Sequence, residues 1–291
     1  MDTLVSSLGF VFESYGARVR VRASTPSILD AIQDHLPPLS RLIDSEDTDY
    51  SFSILTRDGG GDPEEERAYQ LYRCGRLLMH AASLHIVLDE LESLLHATVA
   101  FESSPKLFVH AGVVGWQECA IIIPGRSMSG KTTLVAELVR AGATYYSDEF
   151  AVFDQDGYVY AYPRPLSLRG AQGAHQIKCS AEELGGRIGT NPLPVALVIA
   201  TQYDEHARWQ PQVLSPGQAV LHLFDNTIDA IRRPQCAIST FAQVVANCLA
   251  ISSPRPSCEQ VVPSLLALCE QASHRLVAAH QTERSMYGIP T

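Results

Sequence analysis

Polar and apolar residues swap at every position from Ala17 to Arg22, the period of two that a half-buried strand imposes on its side chains. The spacing predicts a strand there whose basic face meets solvent. Thr25-Pro26 then opens a short helix over Ile28 to His35, stopped by Pro37-Pro38, and Tyr50 to Leu55 reads as another strand. Gly59-Gly60-Gly61-Asp62-Pro63 with Glu64-Glu65-Glu66 reads as a polar loop, followed by a hairpin of Tyr69 to Tyr72 and Leu77 to His80 through Cys74-Gly75. Leu84, Val87, Leu91, Leu94, Leu95 and Val99 recur at helical spacing. That amphipathic helix is expected to join an α+β N-terminal region, residues 1–101, to a larger part, residues 102–291.

From Leu107 the pattern becomes strand, turn, strand, Gly-rich loop and helix. Leu107-Phe108-Val109-His110 leads through Gly112 to the apolar run Ala120-Ile121-Ile122-Ile123. Further strands are predicted at Tyr145 to Ser147, Ala151 to Phe153, Tyr158 to Ala161 and Val195 to Thr201, with Asp156-Gly157 as a hairpin turn. The near-continuous apolar run at Val195 suits a sheet covered on both faces. Beyond it, Ala219 to Phe224, Phe241 to Ile251 and Val262 to His280 show apolar spacing of three and four, so the C-terminal part is expected to be helical. The fold class implied is α/β, with a smaller α+β N-terminal region.

Composition narrows the partners. Of 291 residues, 46% are hydrophobic and 19% charged, the profile of a folded globular chain. Net charge is −10, with 22 Lys plus Arg against 32 Asp plus Glu and no long basic cluster, so neither nucleic acid nor an anionic membrane surface is an expected partner. No apolar run approaches the roughly 18 residues of a membrane helix. The start Met1-Asp2-Thr3-Leu4 lacks a basic n-region and a long apolar h-region, so the expected location is cytoplasmic. The seven Cys contain no C-x-x-C pair and read as free, mostly buried thiols.

Gly125-Arg126-Ser127-Met128-Ser129-Gly130-Lys131-Thr132 fits G-x-x-x-x-G-K-[ST], between a buried strand and an amphipathic helix. The glycines let the backbone curl so that successive N–H groups face phosphate oxygens, and a helix beginning near Lys131 adds its positive end. Lys131 is expected to reach the β- and γ-phosphates. Thr132, followed by Thr133, places a hydroxyl on the first helical turn, where Mg²⁺ bridging those phosphates needs a hard ligand. Gly142 closes the helix, and the strand Tyr145-Tyr146-Ser147 carries Asp148-Glu149 to its C-terminal end. There one carboxylate can face the metal while the other faces the nucleophile. His110 precedes Gly125 on a strand that pairs naturally with the one feeding the loop, which brings its imidazole toward the same crevice.

Taken together, Val109-His110-Ala111-Gly112-Val113-Val114, the phosphate loop and Tyr146-Ser147-Asp148-Glu149 resemble the C-terminal catalytic domain of the HPr kinase/phosphorylase family. The resemblance implies a P-loop nucleotide-binding core on a mixed sheet, ATP as donor and Mg²⁺ as cofactor. It further implies Asp148 as the general base, His110 as the group that orients or polarises the acceptor, and Glu149 as a metal ligand. Thr132 and Glu149 stand where the family has Ser and Asp, and both keep the chemistry. Arg169, in Pro165-Leu166-Ser167-Leu168-Arg169-Gly170, looks like the family's Arg-Gly segment, which implies a role in offsetting charge on the transferred phosphoryl group; Arg164 is a rival for it.

Residue 168 is Leu where the family has an acidic residue, and Gly185-Gly186-Arg187-Ile188-Gly189 does not match its phosphorolysis signature. The whole layout is similar to stand-alone HPr-kinase-like proteins, including those that phosphorylate precursor peptides such as lasso peptide precursors. The expected acceptor is a Ser or Thr hydroxyl of a peptide or small protein. A free hydroxy amino acid as acceptor and a non-kinase nucleotide-binding module are the alternatives, and a homo-oligomer is left open. Substrate recognition or oligomer contacts are the expected task of the N-terminal region.

Overall fold

The structure, a computed structural model, describes residues 8–48, 50–57, 68–125, 129–169 and 176–286, with the side chains of 169, 176 and 275–286 excepted. The Gly59 to Glu66 loop lies outside the described residues. Two compact units emerge, Met1–Ser104 and Pro105–Thr291.

The first unit contains β1 (Leu8–Ser14), β2 (Ala17–Ala23), α1 (Pro26–Gln33), β3 (Arg41–Ile43), β4 (Tyr50–Arg57), β5 (Ala68–Arg73), β6 (Arg76–Ala81) and α2 (Leu84–Glu102). Its sheet has the order β3-β1-β2-β4-β5-β6, with only β2 and β4 parallel among neighbours. The alternation in β2 sorts as expected: Val19 and Val21 are buried, while Arg18, on the other face, pairs with Glu13 of β1 at 3.0 Å. Glu13 also binds Arg41 at 3.0 Å, so the basic face is internally compensated in part. Thr25 caps α1 by accepting the N–H of Ile28, and Pro26 suits the first helical position. Ile28 and Ile32 of α1 and Val87, Leu91 and Leu95 of α2 are buried with Phe52, Ile54 and Leu71 of the sheet. Each such side chain contributes about 1.5–3 kcal/mol when fully removed from water.

The second unit runs β7 (Leu107–Trp116), β8 (Cys119–Pro124), α3 (Lys131–Arg140), β9 (Thr144–Ser147), β10 (Phe150–Phe153), β11 (Val159–Tyr160), β12 (Leu166–Arg169) and β13 (Gln176–Cys179). It continues with β14 (Val195–Ala200), β15 (Gln212–Val213), α4 (Pro216–Phe224), α5 (Pro234–Asn247), β16 (Leu249–Ser252) and α6 (Cys258–Met286). Its mixed sheet has the order β11-β10-β7-β8-β14-β16-β15, with β9 also paired to β7. β8, β14 and β16 are parallel. All residues of β8 and β14 are buried, because both faces are covered. On one face α3 and α6 pack Leu134, Leu138, Val261 and Leu265 against Ile121, Ile123 and Leu197. The other face sets Ala219, Leu223 and Phe241 of α4 and α5 against Val109, Val113 and Val198. The chain is therefore mixed α/β, as the periodicity predicts.

Three expectations change. Gly112 is no turn: β7 runs straight through it, and the turn falls at Gln117-Glu118, both with positive φ, 48° and 61°, the sense that matches strand twist. Gly112 instead makes room for α3, since a Cβ there would stand 2.6 Å from Val135 Cγ2. The helix predicted over Phe241 to Ile251 stops at Asn247, and Leu249–Ser252 becomes the strand β16 beside β14. Burial of its central residues against α4 and α6 supplies the apolar periodicity that reads as helix. Finally, β1, β3, β12, β13 and β15 have no counterpart among the predicted elements. All seven cysteines are free, Cys74 being exposed and Cys119, Cys258 and Cys269 buried. Among the described residues no helix is long and apolar enough to cross a membrane.

Candidate active site

β8 ends at Pro124, and after six intervening residues α3 begins at Lys131. Gly130 precedes the helix with φ 84° and ψ 16°, a left-handed conformation that glycine adopts without a Cβ penalty. Arg126, Ser127 and Met128 lie outside the described residues. The two ends of the segment are anchored. Gly125 donates its N–H to the His110 carbonyl at 3.1 Å, and the Gly130 carbonyl accepts from Arg255 Nη2 at 2.7 Å.

Arg255 is 2% exposed. Its Nη1 donates to Cys258 Sγ at 3.2 Å and its guanidinium lies 5.7 Å from the centre of the Tyr203 ring. Among the described residues its Nε has no hydrogen-bond partner, nor do the buried hydroxyls of Ser129 and Thr201. Sequence reasoning missed Arg255. A signal was available: Pro-Arg-Pro occurs at 163–165 and again at 254–256, and flanking prolines hold the arginine backbone extended.

The carboxylates sit at a corner that Ser147 builds. Its buried hydroxyl accepts the N–H groups of Glu149 at 3.1 Å and Phe150 at 2.9 Å, which turns the chain between β9 and β10. Asp148 is thereby placed against α3, where its carboxylate accepts from the Thr132 hydroxyl. Burial raises its pKa, and the hydrogen bonds from Thr132 and Tyr145 oppose that rise in part. The Tyr145 oxygen stands 3.0 Å from Asp148 Oδ1 and 2.7 Å from the Arg164 carbonyl. One hydroxyl proton serves one acceptor at a time. With Asp148 ionised, the phenol donates to the carboxylate; with Asp148 protonated, the acid donates to the phenol oxygen and the phenol donates to Arg164. Glu149 forms an ion pair with Arg164 Nη1.

Lys131 is lowered by burial, while Asp148 and Glu149 favour its charged form. His110 is lowered by burial and by the charge of Lys131; its ring also hydrogen-bonds the Glu149 carbonyl and lies 4.9 Å from the Phe150 ring. A neutral imidazole at pH 7 follows. The backbone of His110 completes the frame, since its N–H donates to the Asn226 carbonyl at 2.7 Å and the next amide, of Ala111, donates to Glu149 O at 3.1 Å.

The structure thus brings His110, Gly125, Lys131, Thr132, Asp148 and Glu149 to one place, together with Arg164 and the unforeseen Tyr145, Ser147 and Arg255. Thr133 is exposed on the first turn of α3. Arg169 ends β12 in a separate two-stranded hairpin with β13, and its side chain lies outside the description. Among the described residues no cluster of three or more His, Cys, Asp or Glu forms a ready metal cage.

No protein-family model and no curated protein matches this sequence. Among solved structures, the Hpr(Ser) kinase/phosphatase from Coxiella burnetii aligns with TM-score 0.33 and 13% identity, over 61% of this chain and 98% of that one.

Proposed function

We propose that this chain is an HPr-kinase-like, ATP- and Mg²⁺-dependent phosphotransferase that delivers the γ-phosphoryl group to a Ser or Thr hydroxyl of a peptide or small protein. The observation that carries the reading is the hydrogen bond between Thr132 and Asp148. It ties the first turn of the helix after a glycine-bounded loop to a buried carboxylate, the juxtaposition of hydroxyl and carboxylate with which phosphate-loop folds hold Mg²⁺.

The residues present fit both groups. Gly125 leaves a cradle that a Cβ would fill, 3.0 Å from Ser129 Oγ, and that buried hydroxyl has no partner among the described residues. Thr132, Asp148 and Glu149 offer hard oxygen donors. Two carboxylates and a hydroxyl suit Mg²⁺, which completes its shell with water and substrate phosphate rather than with a protein cage. When bound, ATP supplies the transferable phosphoryl group and Mg²⁺ offsets its charge.

The chain's own residues then have distinct tasks. The start of α3 and the Lys131 ammonium hold the phosphates at the helix N-terminus. Asp148, held by Thr132 and Tyr145, takes the acceptor's hydroxyl proton, and its raised pKa brings it closer to working pH, where a general base is most effective. Neutral His110 orients the acceptor. Arg169, or its rival Arg164, which is paired with Glu149 beside the carboxylates, meets charge on the transferred group.

Incubation with γ-labelled ATP and Mg²⁺ against hydroxyl-bearing peptides, free Ser and free Thr tests the reading, with Lys131→Ala as control. Label on a peptide, lost in Lys131→Ala, is the expected result. Label on free amino acids alone overturns the peptide acceptor, and label only in water overturns kinase activity.

A further inference from the structure

Two residues remote in the chain grip the last two carbonyls before α3. The Tyr203 N–H donates to the Ser129 carbonyl at 3.4 Å, and Arg255 Nη2 donates to the Gly130 carbonyl at 2.7 Å. Both belong to one support. Tyr203 and Arg255 form an isolated parallel bridge, in which the Arg255 amide donates to the Gln202 carbonyl at 2.9 Å and the Asp204 amide to the Arg255 carbonyl at 3.0 Å. In a trans peptide the carbonyl and the N–H of the following residue point in opposite directions. Holding the Ser129 and Gly130 carbonyls toward this support therefore aims the N–H groups of Gly130 and Lys131 away from it. Successive N–H groups around a left-handed residue make a concavity for an anion, and Gly130 is that residue, with φ 84°.

The charge behind the concavity is unbalanced. The Arg255 guanidinium is 2% exposed, and among the described residues no carboxylate pairs with it: it bonds the Gly130 carbonyl and Cys258 Sγ, and its Nε has no partner. Burial raises the Cys258 thiol, so that neighbour stays neutral. Glu137, whose charge acts on the same Cys258, is held by Arg140. A buried charge without a counter-ion costs the fold free energy. We infer that Arg255 is a positioning residue of the phosphate site, acting through the Gly130–Lys131 peptide, and that the bound phosphate chain is the counter-ion its buried charge lacks; the inference rests on the phosphotransfer reading above. Arg255 acts from one peptide away and is distinct from Lys131, which holds the phosphates directly.

The test measures binding of Mg²⁺-tripolyphosphate, a phosphate chain with no nucleoside, to the full chain by calorimetry. Wild type, Arg255→Met, Arg255→Lys and Lys131→Ala are compared, with urea unfolding of each so that affinity is read per folded molecule. Binding should weaken at least about tenfold in Arg255→Met and return to within about threefold of wild type in Arg255→Lys, which keeps the charge and a donor. An Arg255→Met chain that is less stable but binds as wild type does shows a role confined to folding and overturns the inference. Arg255→Lys as weak as Arg255→Met overturns the part given to charge. Both outcomes leave the phosphotransfer reading standing. A second measurement needs only wild type to fold well: the ¹⁵N resonance of Arg255 Nε, assigned by its loss in Arg255→Lys, should shift and its proton exchange more slowly when tripolyphosphate is added. A resonance unmoved at saturation overturns the inference. Absence of tripolyphosphate binding in wild type, or binding indifferent to Lys131→Ala, overturns the phosphotransfer reading and this inference with it.

Discussion

Replacing Tyr145 by Phe removes one hydroxyl oxygen from between Asp148 and the Arg164 carbonyl. In the ionised state Asp148 loses a charge-assisted bond, worth roughly 1.5–3 kcal/mol; in the protonated state it loses a neutral one, worth roughly 0.5–1.5 kcal/mol. The difference, about 1–1.5 kcal/mol, corresponds to about one pH unit by which protonation becomes easier. Because burial already raises the Asp148 pKa above its ordinary value of 3.8, the folded state holds its proton to higher pH than the unfolded chain. Stability linked to this group is therefore full below 3.8 and falls as pH rises through the folded value.

Urea unfolding of wild type and Asp148→Asn across pH brings out that loss, since the two chains differ in this one ionisable group. The difference in unfolding free energy should decline by about 1.4 kcal/mol per pH unit and then level off. With Tyr145→Phe in both members of the pair, the levelling should come about one pH unit higher. Levelling at the same pH, or lower, would refute the account of Tyr145 as a support for the ionised carboxylate.

Gly130→Ala should lower stability by roughly 1–2 kcal/mol from its left-handed backbone alone and weaken tripolyphosphate binding, because the new Cβ would stand 2.6 Å from Arg255 Nη2; calorimetry and urea midpoints check both. Arg255→Met leaves the Gly130 carbonyl without its charged donor, a loss of roughly 1.5–3 kcal/mol, visible as a melting temperature several degrees lower and partly restored in Arg255→Lys. His110, lowered by burial and Lys131, contributes stability present above its ordinary value of 6.5 and lost as pH falls through its folded value. The wild-type minus His110→Gln difference in unfolding free energy should therefore shrink toward acid, and a pH-independent difference would contradict the assignment.

What could be read from residues alone was local. Gly125 to Thr132 and Asp148-Glu149 carry their chemistry in contiguous stretches, and the helix and strand beside them have clear periods of 3.6 and two. What escaped depends on partners distant in the chain. Leu249 to Ser252 fits helical spacing as well as a buried strand, and only its pairing with Leu197 to Ala200 decides. Gly112 looks like a turn residue until Val135 of α3 is packed against it. Arg255 reaches Gly130 across 125 positions; Pro254-Arg255-Pro256 marks the arginine in the sequence, but its acceptor is named only by the fold. Tyr145 is legible as an inward strand residue, but its hydroxyl's position depends on Arg164, which follows two further strands.

β7 outruns its neighbour: Ala111 pairs with Pro124 at the end of β8, so Leu107 to His110 extend past it. There His110 receives Gly125 on its carbonyl and gives its own amide to Asn226, joining the loop entry and the end of α4 through one residue. In hydrogen-exchange terms the amides of His110 and Gly125 form a paired reporter, opening together when this strand end frays. A ligand that settles Asn226 should slow both amides, so a binding event at the end of α4 can be read at the mouth of the loop without any turnover.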